Sequence, residues 1–385
     1  MTRRWPLVAL SNVAPIQRRP VETVQGISYP LLAVRSFGRG TFCKPPLEGD
    51  EITWQNLFQV RAGDLLFSNI KAWEGAVAIV ANNDDGRFCS HRYITCVADE
   101  TRILPSFLGY YFRTPQAVWQ LAQASPGSAD RNRTLSVAAL KRIQVPLPPL
   151  SDQRRIVARL DQVERLVQAR QAAIEEMDAE AEAMLRSAFH SLVEGAPLLP
   201  MAKVAPLVRR PVETDPNGVY PEIGARSFGR GTFHKPERVG AELTWQQLFE
   251  VHTGDVLISN IKAWEGAIAV ADKNDDHRFA SHRYLTCVPV DGLATATFIC
   301  RYLLSKEGLT QVQAASPGSA DRNRTLSQKG LMAIQVPTPS FEKQLWFDRL
   351  QAKVQEMRTV RDQAARDANA LLPAMLHQIF GDGEA

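Results

Sequence analysis

The sequence is short of cysteine and has no long apolar run. Its five cysteines, at positions 43, 89, 96, 287 and 300 of 385 residues, form neither a CxxC pair nor an even framework. No stretch approaches the ~18 to 20 apolar residues that span a bilayer, and the opening MTRRWPLVAL has no apolar core of signal-peptide length. These absences predict free thiols, a cytoplasmic location and no membrane role.

The chain also lacks the motifs of the common enzyme classes. It has no GxxxxGK[ST], no GxGxxG that opens a helix, no HExxH and no GxSxG. The paired acids at 84–85 and 275–276 are typical of turns, and a divalent cation would need further oxygen ligands nearby. His91 and His282 fit either general bases or hydrogen-bonding, DNA-contacting residues. The sequence therefore predicts no catalytic residue, no metal site and no bound cofactor.

What the chain does contain is one long internal repeat. The letters SPGSADRNRTLS stand at 125–136 and again at 316–327, and RSFGRGTF, SNIKAWEGA and SHRY recur at the same offset of 191 residues. Between residues 35–96 and 226–287, 42 of 62 aligned positions are identical. This pattern indicates a tandem duplication without insertion or deletion, whose two globular parts do the same thing.

Positive charge is concentrated in the repeated parts. Residues 1–150 carry a net charge of +6 and residues 197–340 of +2, whereas 151–196 carry −3 and 341–385 carry −1. Attraction of a polyanion fits this distribution, although a soluble protein without nucleic-acid partners can show it as well.

Each half contains two kinds of segment, a globular module and a long helix. Short apolar runs between Gly, Pro and Asn predict an α+β module with a helix near residues 105–124. Residues 151–193 then contain neither Gly nor Pro, and Ser151 is the predicted N-cap. The predicted coiled-coil seam has alternating spacings of four and three from Ile156 through Met184 to Ala188, with one polar position, Arg170. A matching run extends from Phe347 to Met375.

The two long helices can satisfy each other's apolar stripes. We predict that they form an antiparallel coiled coil about 60 Å long, which separates two similar globular modules about a pseudo-twofold axis. The alternative is two unrelated amphipathic helices, each packed on its own module. The predicted divisions are an N-module at residues 1–150, a spacer helix at 151–193, a C-module at 194–340 and a C-terminal helix at 341–385.

The residues that the modules share suit nucleic acid, because arginine forks and asparagine amides match base edges, and Ser and Gly amides match phosphate oxygens. The predicted DNA-binding residues of the N-module are Arg35, Arg39, Lys44, Lys71, His91, Arg92, Ser128, Arg131, Asn132 and Arg133. Those of the C-module are Arg226, Arg230, Lys235, Lys262, His282, Arg283, Ser319, Arg322, Asn323 and Arg324.

A merely solvated basic loop would contain the same residue types as SPGSADRNRTLS. Such a loop, however, has little physical reason to stay identical over twelve letters while nearby helix faces diverge. Trp73 and Trp264, in KAWEGA, fit either a core position or a ring that stacks on bases.

Together these features resemble a known family. The segment PLPPLSDQRRIVARLD, the tandem modules, the heptad helices and the C-terminal LLPAMLHQIFGDGE look like the specificity subunit of type I restriction-modification systems. The resemblance covers essentially the whole chain, and its most specific part is the run from SPGSADRNRTLS to VPLPPLSDQRRI. In the second half the proline stretch degrades to VPTPSFEKQ, which predicts a different start for the C-terminal helix.

The resemblance implies two target-recognition domains at the ends of an antiparallel helical spacer, each reading half of a bipartite site in double-stranded DNA. It implies two modification subunits as partners, adenine-N6 methyltransferases that use S-adenosylmethionine. Two restriction subunits that use ATP and Mg can join them, while the specificity subunit itself has no active site. Because the two modules are near copies, we expect a nearly palindromic, interrupted target. The alternatives are a stand-alone DNA-processing nuclease and a DNA-binding scaffold of another phage-defence complex.

Overall fold

The chain divides into two compact units. The computed structural model describes residues 5–52, 56–127, 132–243, 246–318 and 324–381. Unit 1 is Met1–Ile174 with Asp362–Ala385, and unit 2 is Glu175–Arg361. Each unit therefore contains one module together with parts of both long helices. Within the described ranges, no helix combines the length and the apolar character needed to cross a membrane.

The described part of the N-module is built from short strands and three short helices. The strands are β1 (Leu7–Ala9), β2 (Pro20–Val21), β3 (Ser28–Val34), β4 (Thr41–Glu48), β5 (Leu57–Gln59), β6 (Leu65–Ser68), β7 (Val77–Ile79), β8 (Phe88–Ser90), β9 (Tyr93–Cys96) and β10 (Gln144–Pro146). The helices are α1 (Pro105–Tyr111), α2 (Pro115–Gln123) and α3 (Val137–Arg142), and α4 (Leu150–Val193) follows them.

The single helix expected near residues 105–124 is in fact two helices. α1 ends at Tyr111, and the hydroxyl of Thr114 accepts a hydrogen bond from the N–H of Ala117 at 3.2 Å. Thr114 thus serves as the N-cap of α2, whose first residue is Pro115. A cap followed by a proline at the first helical position is a strong start signal, and it interrupts the helix.

Three sheets organise the described part of the N-module. A five-stranded sheet has the order β2-β5-β8-β3-β4, a three-stranded sheet has the order β7-β6-β9, and β1 pairs with β10. The main core lies between the three-stranded sheet and the helices, where the rings of Phe67 and Phe112 meet edge to face at 5.1 Å. The α+β class predicted from the sequence is confirmed.

The C-module repeats these elements. Its strands are β11 (Leu198–Pro200), β12 (Pro211–Val212), β13 (Val219–Tyr220), β14 (Ile223–Ala225), β15 (Thr232–His234), β16 (Arg238–Val239), β17 (Leu248–Val251), β18 (Val256–Ser259), β19 (Ile268–Val270), β20 (Arg278–Ser281), β21 (Tyr284–Cys287) and β22 (Gln335–Pro337). Its helices are α5 (Met201–Val204), α6 (Ala296–Leu303), α7 (Lys306–Ala314) and α8 (Gln328–Ala333), followed by α9 (Phe341–Phe380).

Strand register follows the duplication. The order β19-β18-β21 corresponds to β7-β6-β9, and Val256 pairs with Cys287 as Leu65 pairs with Cys96. The rest of the C-module sheet is divided into smaller ones, β12-β17-β20, β14-β15 and β13-β16. The two modules therefore share a fold as well as a sequence.

A buried glutamine joins each long helix to its module. Gln153 is fully buried; its amide oxygen accepts from the N–H of Leu104 at 2.8 Å, and its amide nitrogen donates to the carbonyls of Arg102 and Pro148. Gln344 makes the equivalent three bonds in the C-module. These bonds satisfy backbone groups that would otherwise be buried without partners.

Both long helices start at corresponding positions. α4 begins at Leu150, one residue before the predicted boundary, because Pro149 O accepts the first helical hydrogen bonds. Ser151 therefore lies inside the helix, and its predicted role as the N-cap is wrong. α9 begins at Phe341, which is Leu150 plus the repeat offset. The expectation that the degraded proline stretch would change the start of the second helix is therefore wrong.

Within each unit the segments of the two helices run in opposite directions. In unit 1, Leu160 near the start of α4 shares a core with Phe380 at the end of α9. In unit 2, Phe189 near the end of α4 packs against Phe347 near the start of α9, with ring centroids 5.3 Å apart. The antiparallel pairing predicted from the sequence is confirmed inside each unit.

The predicted seam is wrong near the ends of the helices. Met184 is 46% exposed and Leu371 is 52% exposed, whereas the neighbouring Leu185 and Leu372 are buried. There the helices pack against a module rather than only against each other. The wider apolar face that this packing needs displaces the heptad register by one residue.

Candidate nucleic-acid interface

The tip of the β3–β4 hairpin presents a strained and exposed aromatic residue. Residues 35–40, RSFGRG, connect the strands, and Phe37, Gly38 and Gly40 all have positive φ. A non-glycine residue in the left-handed region costs about 1 to 2 kcal/mol. Phe37 nevertheless occupies it at φ +62°, with 71% of its surface exposed. Burial in the core therefore does not account for this phenylalanine.

Backbone hydrogen bonds fix the hairpin loop against the turn SNIKAWEG. The N–H of Phe37 donates to Glu74 O at 2.9 Å, and the N–H of Gly38 donates to Gly75 O at 3.0 Å. Gly75 is left-handed at φ +73°, and a β-carbon there would lie 3.2 Å from Val118 and 3.8 Å from the Phe37 α-carbon. This close approach explains the glycine, and it makes the loop a rigid feature of the surface.

The Glu74 side chain adds polar contacts beneath the loop. Its carboxylate accepts from Ser36 Oγ at 2.7 Å and from Lys71 Nζ at 2.7 Å. Burial raises the pKa of Glu74, but the hydrogen bonds from Lys71 and Ser36 outweigh that effect and leave the pKa below its ordinary value. Glu74 therefore stays ionised at neutral pH and holds Lys71 beside the hairpin loop.

Trp73 lies between two cationic side chains. The ring is half-buried, and its Nε1–H donates to Ile70 O at 3.2 Å. Lys71 Nζ is 5.0 Å and the Arg133 guanidinium carbon is 5.1 Å from the ring centroid. Such cation–π contacts orient the two cationic groups while the side chains stay partly exposed to solvent. Trp73 is thus a platform that places Arg133 next to the hairpin loop.

Asn69 connects two further segments to this surface. Its N–H donates to Arg92 O at 2.7 Å, and its carbonyl accepts from the N–H of Leu135 at 2.8 Å. The SHRY turn and the end of SPGSADRNRTLS therefore lie beside the SNIKAWEG turn. We call residues 35–40, 69–75, 91–92 and 132–135 the loop cluster of the N-module.

The C-module has a loop cluster at 226–231, 260–266, 282–283 and 324–326, with the same contacts. Phe228 has φ +63° and is 70% exposed, and its N–H donates to Glu265 O at 2.8 Å. Lys262 Nζ lies 2.8 Å from Glu265 Oε1, and Arg324 lies 5.1 Å from the Trp264 centroid. The two loop clusters therefore share their hydrogen bonds and cation–π contacts as well as their sequence.

Most of the predicted DNA-binding residues lie in the two loop clusters. They are Arg35, Arg39, Lys71, His91, Arg92, Asn132 and Arg133, with Arg226, Arg230, Lys262, His282, Arg283 and Arg324. Lys44 lies on β4 and Lys235 follows β15, outside the clusters. Ser128, Arg131, Ser319, Arg322 and Asn323 lie outside the described residues.

Two arginines of the hairpin loop stack on phenylalanine rings. The Arg35 guanidinium lies 4.9 Å from the Phe42 centroid and donates to Thr41 O at 2.8 Å. The guanidinium of Arg39 lies 5.7 Å from the Phe37 centroid. Both arginines remain exposed, so the loop presents an aromatic ring flanked by positive charge.

Sequence reasoning missed Phe37 and Phe228. A phenylalanine in a strand-rich module is expected in the core, and hydrophobicity alone gives no reason to place it outside. The available signal was its position between a polar residue and a glycine in RSFGRG, unchanged in both copies. A residue that is held in a strained conformation and is exposed in two copies is a candidate for function.

One difference between the copies lies next to the clusters. Glu222 is 4% exposed and binds Lys235 Nζ at 3.1 Å and an Arg238 nitrogen at 3.5 Å. The N-module has Leu31 and Leu47 at the positions of Glu222 and Arg238. An ion pair therefore replaces an apolar contact beneath the C-module hairpin.

Four of the five cysteines have thiols that are hard to ionise. All five are free, and burial raises the pKa of Cys89, Cys96, Cys287 and Cys300 to about 12. Thiols with such pKa values carry almost no thiolate at neutral pH, so they are poor nucleophiles. Cys43 is exposed.

Residues 27–176 match the family model described as the type I restriction modification DNA specificity domain. Residues 226–287 of the C-module repeat residues 35–96 of this matched segment at 42 of 62 positions. No protein of curated function matches the chain significantly.

Solved structures resemble the chain over nearly its whole length. One, described as "Structural basis underlying complex assembly and conformational transition of the type I R-M system", covers 98% of both chains at 19% identity and a TM-score of 0.69. The HsdS subunit from Thermoanaerobacter tengcongensis covers 99% of this chain and 98% of its own at 21% identity and TM-score 0.56. The S subunit of the type I restriction-modification system from M. genitalium covers 99% of this chain and 97% of its own at 13% identity and a TM-score of 0.52. At these identities the likeness shows the fold.

Proposed function

We propose that the chain is a DNA specificity subunit of a type I restriction-modification system, the family whose domain model matches residues 27–176, and that its two loop clusters are the surfaces that read the target DNA. DNA and the methyltransferase of such a system are the partners of the chain. The specificity subunit supplies recognition, and catalysis belongs to the partner subunits.

The observation that carries this proposal is the agreement between the two loop clusters. Sequence identity alone could reflect a recent duplication, but neighbouring positions such as Leu31 and Glu222 have already diverged. The clusters have kept the exposed Phe, the stacked Arg and the Lys beside the Glu. These residues are exposed or half-buried, so packing does not require them to stay the same.

The residue types suggest distinct roles in recognition. Arg39 and Arg92 are exposed and can meet phosphates or the O6 and N7 atoms of guanine. Phe37 is 71% exposed, and an apolar ring on such a surface can insert between base steps or stack on an unpaired base. A base that is to be methylated must leave the helical stack, and a wedge would lower the cost of that opening.

We propose further that the two modules read half-sites of the same kind. The target is then an interrupted, nearly palindromic sequence whose spacing is set by the helical spacer. The division into residues 1–150, 151–193, 194–340 and 341–385 belongs to the same proposal. Two adenine-N6 methyltransferase subunits with S-adenosylmethionine would act on it, and two restriction subunits with ATP and Mg would complete the complex.

The test is a methylome. The chain is expressed with its methyltransferase partner in a host without adenine methylation, and the modified sites are read by long-read sequencing. We expect one interrupted motif with nearly equivalent halves. The double variant R133A/R324A should lose at least 90% of that methylation, an effect of roughly 1.4 kcal/mol or more.

The control is R142A, because Arg142 is an exposed arginine of the N-module whose C-module counterpart is already Ala333. It should methylate as the wild type does. A motif with unrelated halves would contradict the equivalence of the modules. Full methylation by R133A/R324A would remove Arg133 and Arg324 from the interface.

A further inference from the structure

Three of the differences between the near-identical modules lie together in space. The N-module has Gln59, Arg61 and Gly86, and the C-module has Glu250, His252 and His277 at the equivalent positions. Glu250 is in β17, His252 follows that strand, and His277 immediately precedes β20. β17 and β20 pair antiparallel, with Val251 opposite Arg278. The C-module therefore has two imidazoles and a carboxylate at one end of one strand pair where the N-module has none of the three.

The ligand atoms of these three side chains converge. His277 Nδ1 is 2.7 Å from Glu250 Oε1, and His252 Nε2 is 3.5 Å from Glu250 Oε2. One ligand atom from each residue lies within 4.8 Å of the others. Ligands of a tetrahedral zinc ion are about 3.3 Å apart when the bonds are 2.0 to 2.1 Å long. Movements of the side-chain ligand atoms by about an ångström would therefore bring them to the spacing of a tetrahedral zinc site.

Two further observations indicate a ligand at this place. His252 Nε2 is shielded from solvent and has no hydrogen-bond partner. His277 has φ +56° at a position where Gly86 of the N-module has φ +77°. A histidine in this conformation is less favourable than the glycine that it replaces. A shielded ring nitrogen that has only a long contact with Glu250 in place of a hydrogen bond, and an unfavourable backbone, are both explained if these side chains bind something in common.

We propose that Glu250, His252 and His277 form a zinc-binding site that is present in the C-module and absent from the N-module. Two imidazole nitrogens and a carboxylate are a donor set that zinc favours over the oxygen-seeking Ca²⁺ and Mg²⁺. Binding uses Nε2 of His252 and Nδ1 of His277, with a water at the fourth position. No metal was expected from the sequence, because these three residues are separated along the chain.

The other ring nitrogen of His277 has its own partner. His277 Nε2 lies 3.5 Å from Asp276 Oδ2. Asp276 in turn accepts a hydrogen bond from the N–H of Thr253 at 2.8 Å. A carboxylate beside the non-ligating nitrogen of a histidine fixes the ring and strengthens its bond to a metal. The residues around the three ligands thus support the site.

Zinc would lock two turns that support the hairpin of the C-module. Asp275, which is 1% exposed, accepts from Thr232 Oγ1 at 2.9 Å and lies 2.9 Å from His234 Nε2, both on β15. The ligand His277 is two residues away from Asp275. In the N-module the corresponding turns are linked by the exposed pair Arg61 and Asp85 at 3.5 Å. The metal therefore replaces an ion pair in one copy.

The experiment measures zinc in the full chain, purified without a histidine tag, by equilibrium dialysis against micromolar ZnCl2 and elemental analysis. We expect one zinc per chain. H277G and H252R restore the N-module residues and should weaken zinc binding roughly 100-fold or more. The control H234C also restores an N-module residue, at a nearby non-ligand, and should keep one zinc. Substitution with Co²⁺ should give the visible absorption bands of a four-coordinate ion in the wild type alone.

Wild-type protein with less than a tenth of an equivalent of zinc would overturn the proposal, as would H277G or H252R with undiminished binding. Thermal denaturation without metal checks that each variant folds, and zinc should raise the Tm of the wild type and of H234C only. Since no DNA is present, failure of this test leaves the proposed DNA recognition intact. An inactive DNA interface would likewise leave the zinc site intact.

Discussion

Replacing Phe37 with alanine should separate stability from DNA binding. The side chain is 71% exposed, so its loss removes little buried apolar surface and should change the free energy of unfolding by no more than about 0.5 kcal/mol. Stacking of an aromatic ring on a base is worth about 1 to 3 kcal/mol. The affinity for a duplex that contains the target should therefore fall roughly fivefold to 150-fold.

The second module supplies an internal replicate. Phe228 has the same φ and exposure as Phe37, so F228A should cause a loss of similar size. The two losses should add in free energy when the variants are combined, because the two residues belong to different compact units. Fluorescence anisotropy of the chain assembled with its methyltransferase measures the affinity, and chemical denaturation of the chain measures stability.

The matched control for F37A is Trp119→Ala. Trp119 is another exposed aromatic residue of the N-module, at 63%, and its C-module counterpart is Thr310. Loss of the Trp119 ring should leave the affinity unchanged. If F37A binds DNA as tightly as the wild type, or if it unfolds the N-module, the wedge interpretation of the hairpin loop is wrong.

Three other predictions follow from the described contacts. Gln153→Ala leaves buried backbone groups without partners, and should lower the free energy of unfolding by about 2 to 4 kcal/mol in denaturant titrations; a loss below 0.5 kcal/mol would contradict the role of Gln153 as the joint between helix and module. Arg92→Ala should reduce the slope of log affinity against log salt by about 1, and an unchanged slope would mean that Arg92 does not meet a phosphate. At pH 8 a thiol reagent should label the exposed Cys43 first by mass spectrometry, since burial raises the pKa of the shielded cysteines to about 12; equal labelling of Cys89 would refute this. Because the same thiols ionise at about pH 8.5 in the unfolded chain, stability linked to them is intact below that pH and falls as the pH rises from there towards 12.

Local sequence patterns predicted which segments form helices and strands better than they predicted which face of a helix is buried. The constant offset of the repeat, the α+β texture and the two Gly-free helices were all readable, because each depends on letters that are close together in the chain. The buried face of α4 near Leu185 was not. It depends on contacts with Phe298 and Phe347, which are distant in sequence, so the heptad spacing selected Met184 in its place.

The candidate nucleic-acid interface was likewise predicted only where local sequence was sufficient. Residues of the repeated polar motifs come together because Asn69 and Glu74 form backbone hydrogen bonds with segments far along the chain. Repetition identified those motifs without any knowledge of the contacts. Phe37 was missed because residue type argued for the core, and only the left-handed backbone and the exposure of the ring reveal its place.

The positions at which the two modules differ indicate where the DNA sequences that they read should differ. The loop clusters agree, whereas the support beneath the hairpin differs: Glu222 accepts from Lys235 at 3.1 Å, and Leu31 offers Lys44 no carboxylate. A lysine whose charge is neutralised by a buried carboxylate contributes less to a phosphate or guanine contact. Lys44→Ala should therefore weaken DNA binding more than Lys235→Ala. The two halves of the target would then agree in the bases that the loop clusters read and differ at the base pair that Lys44 reaches. If the two alanine variants lose the same affinity, Glu222 does not distinguish the modules.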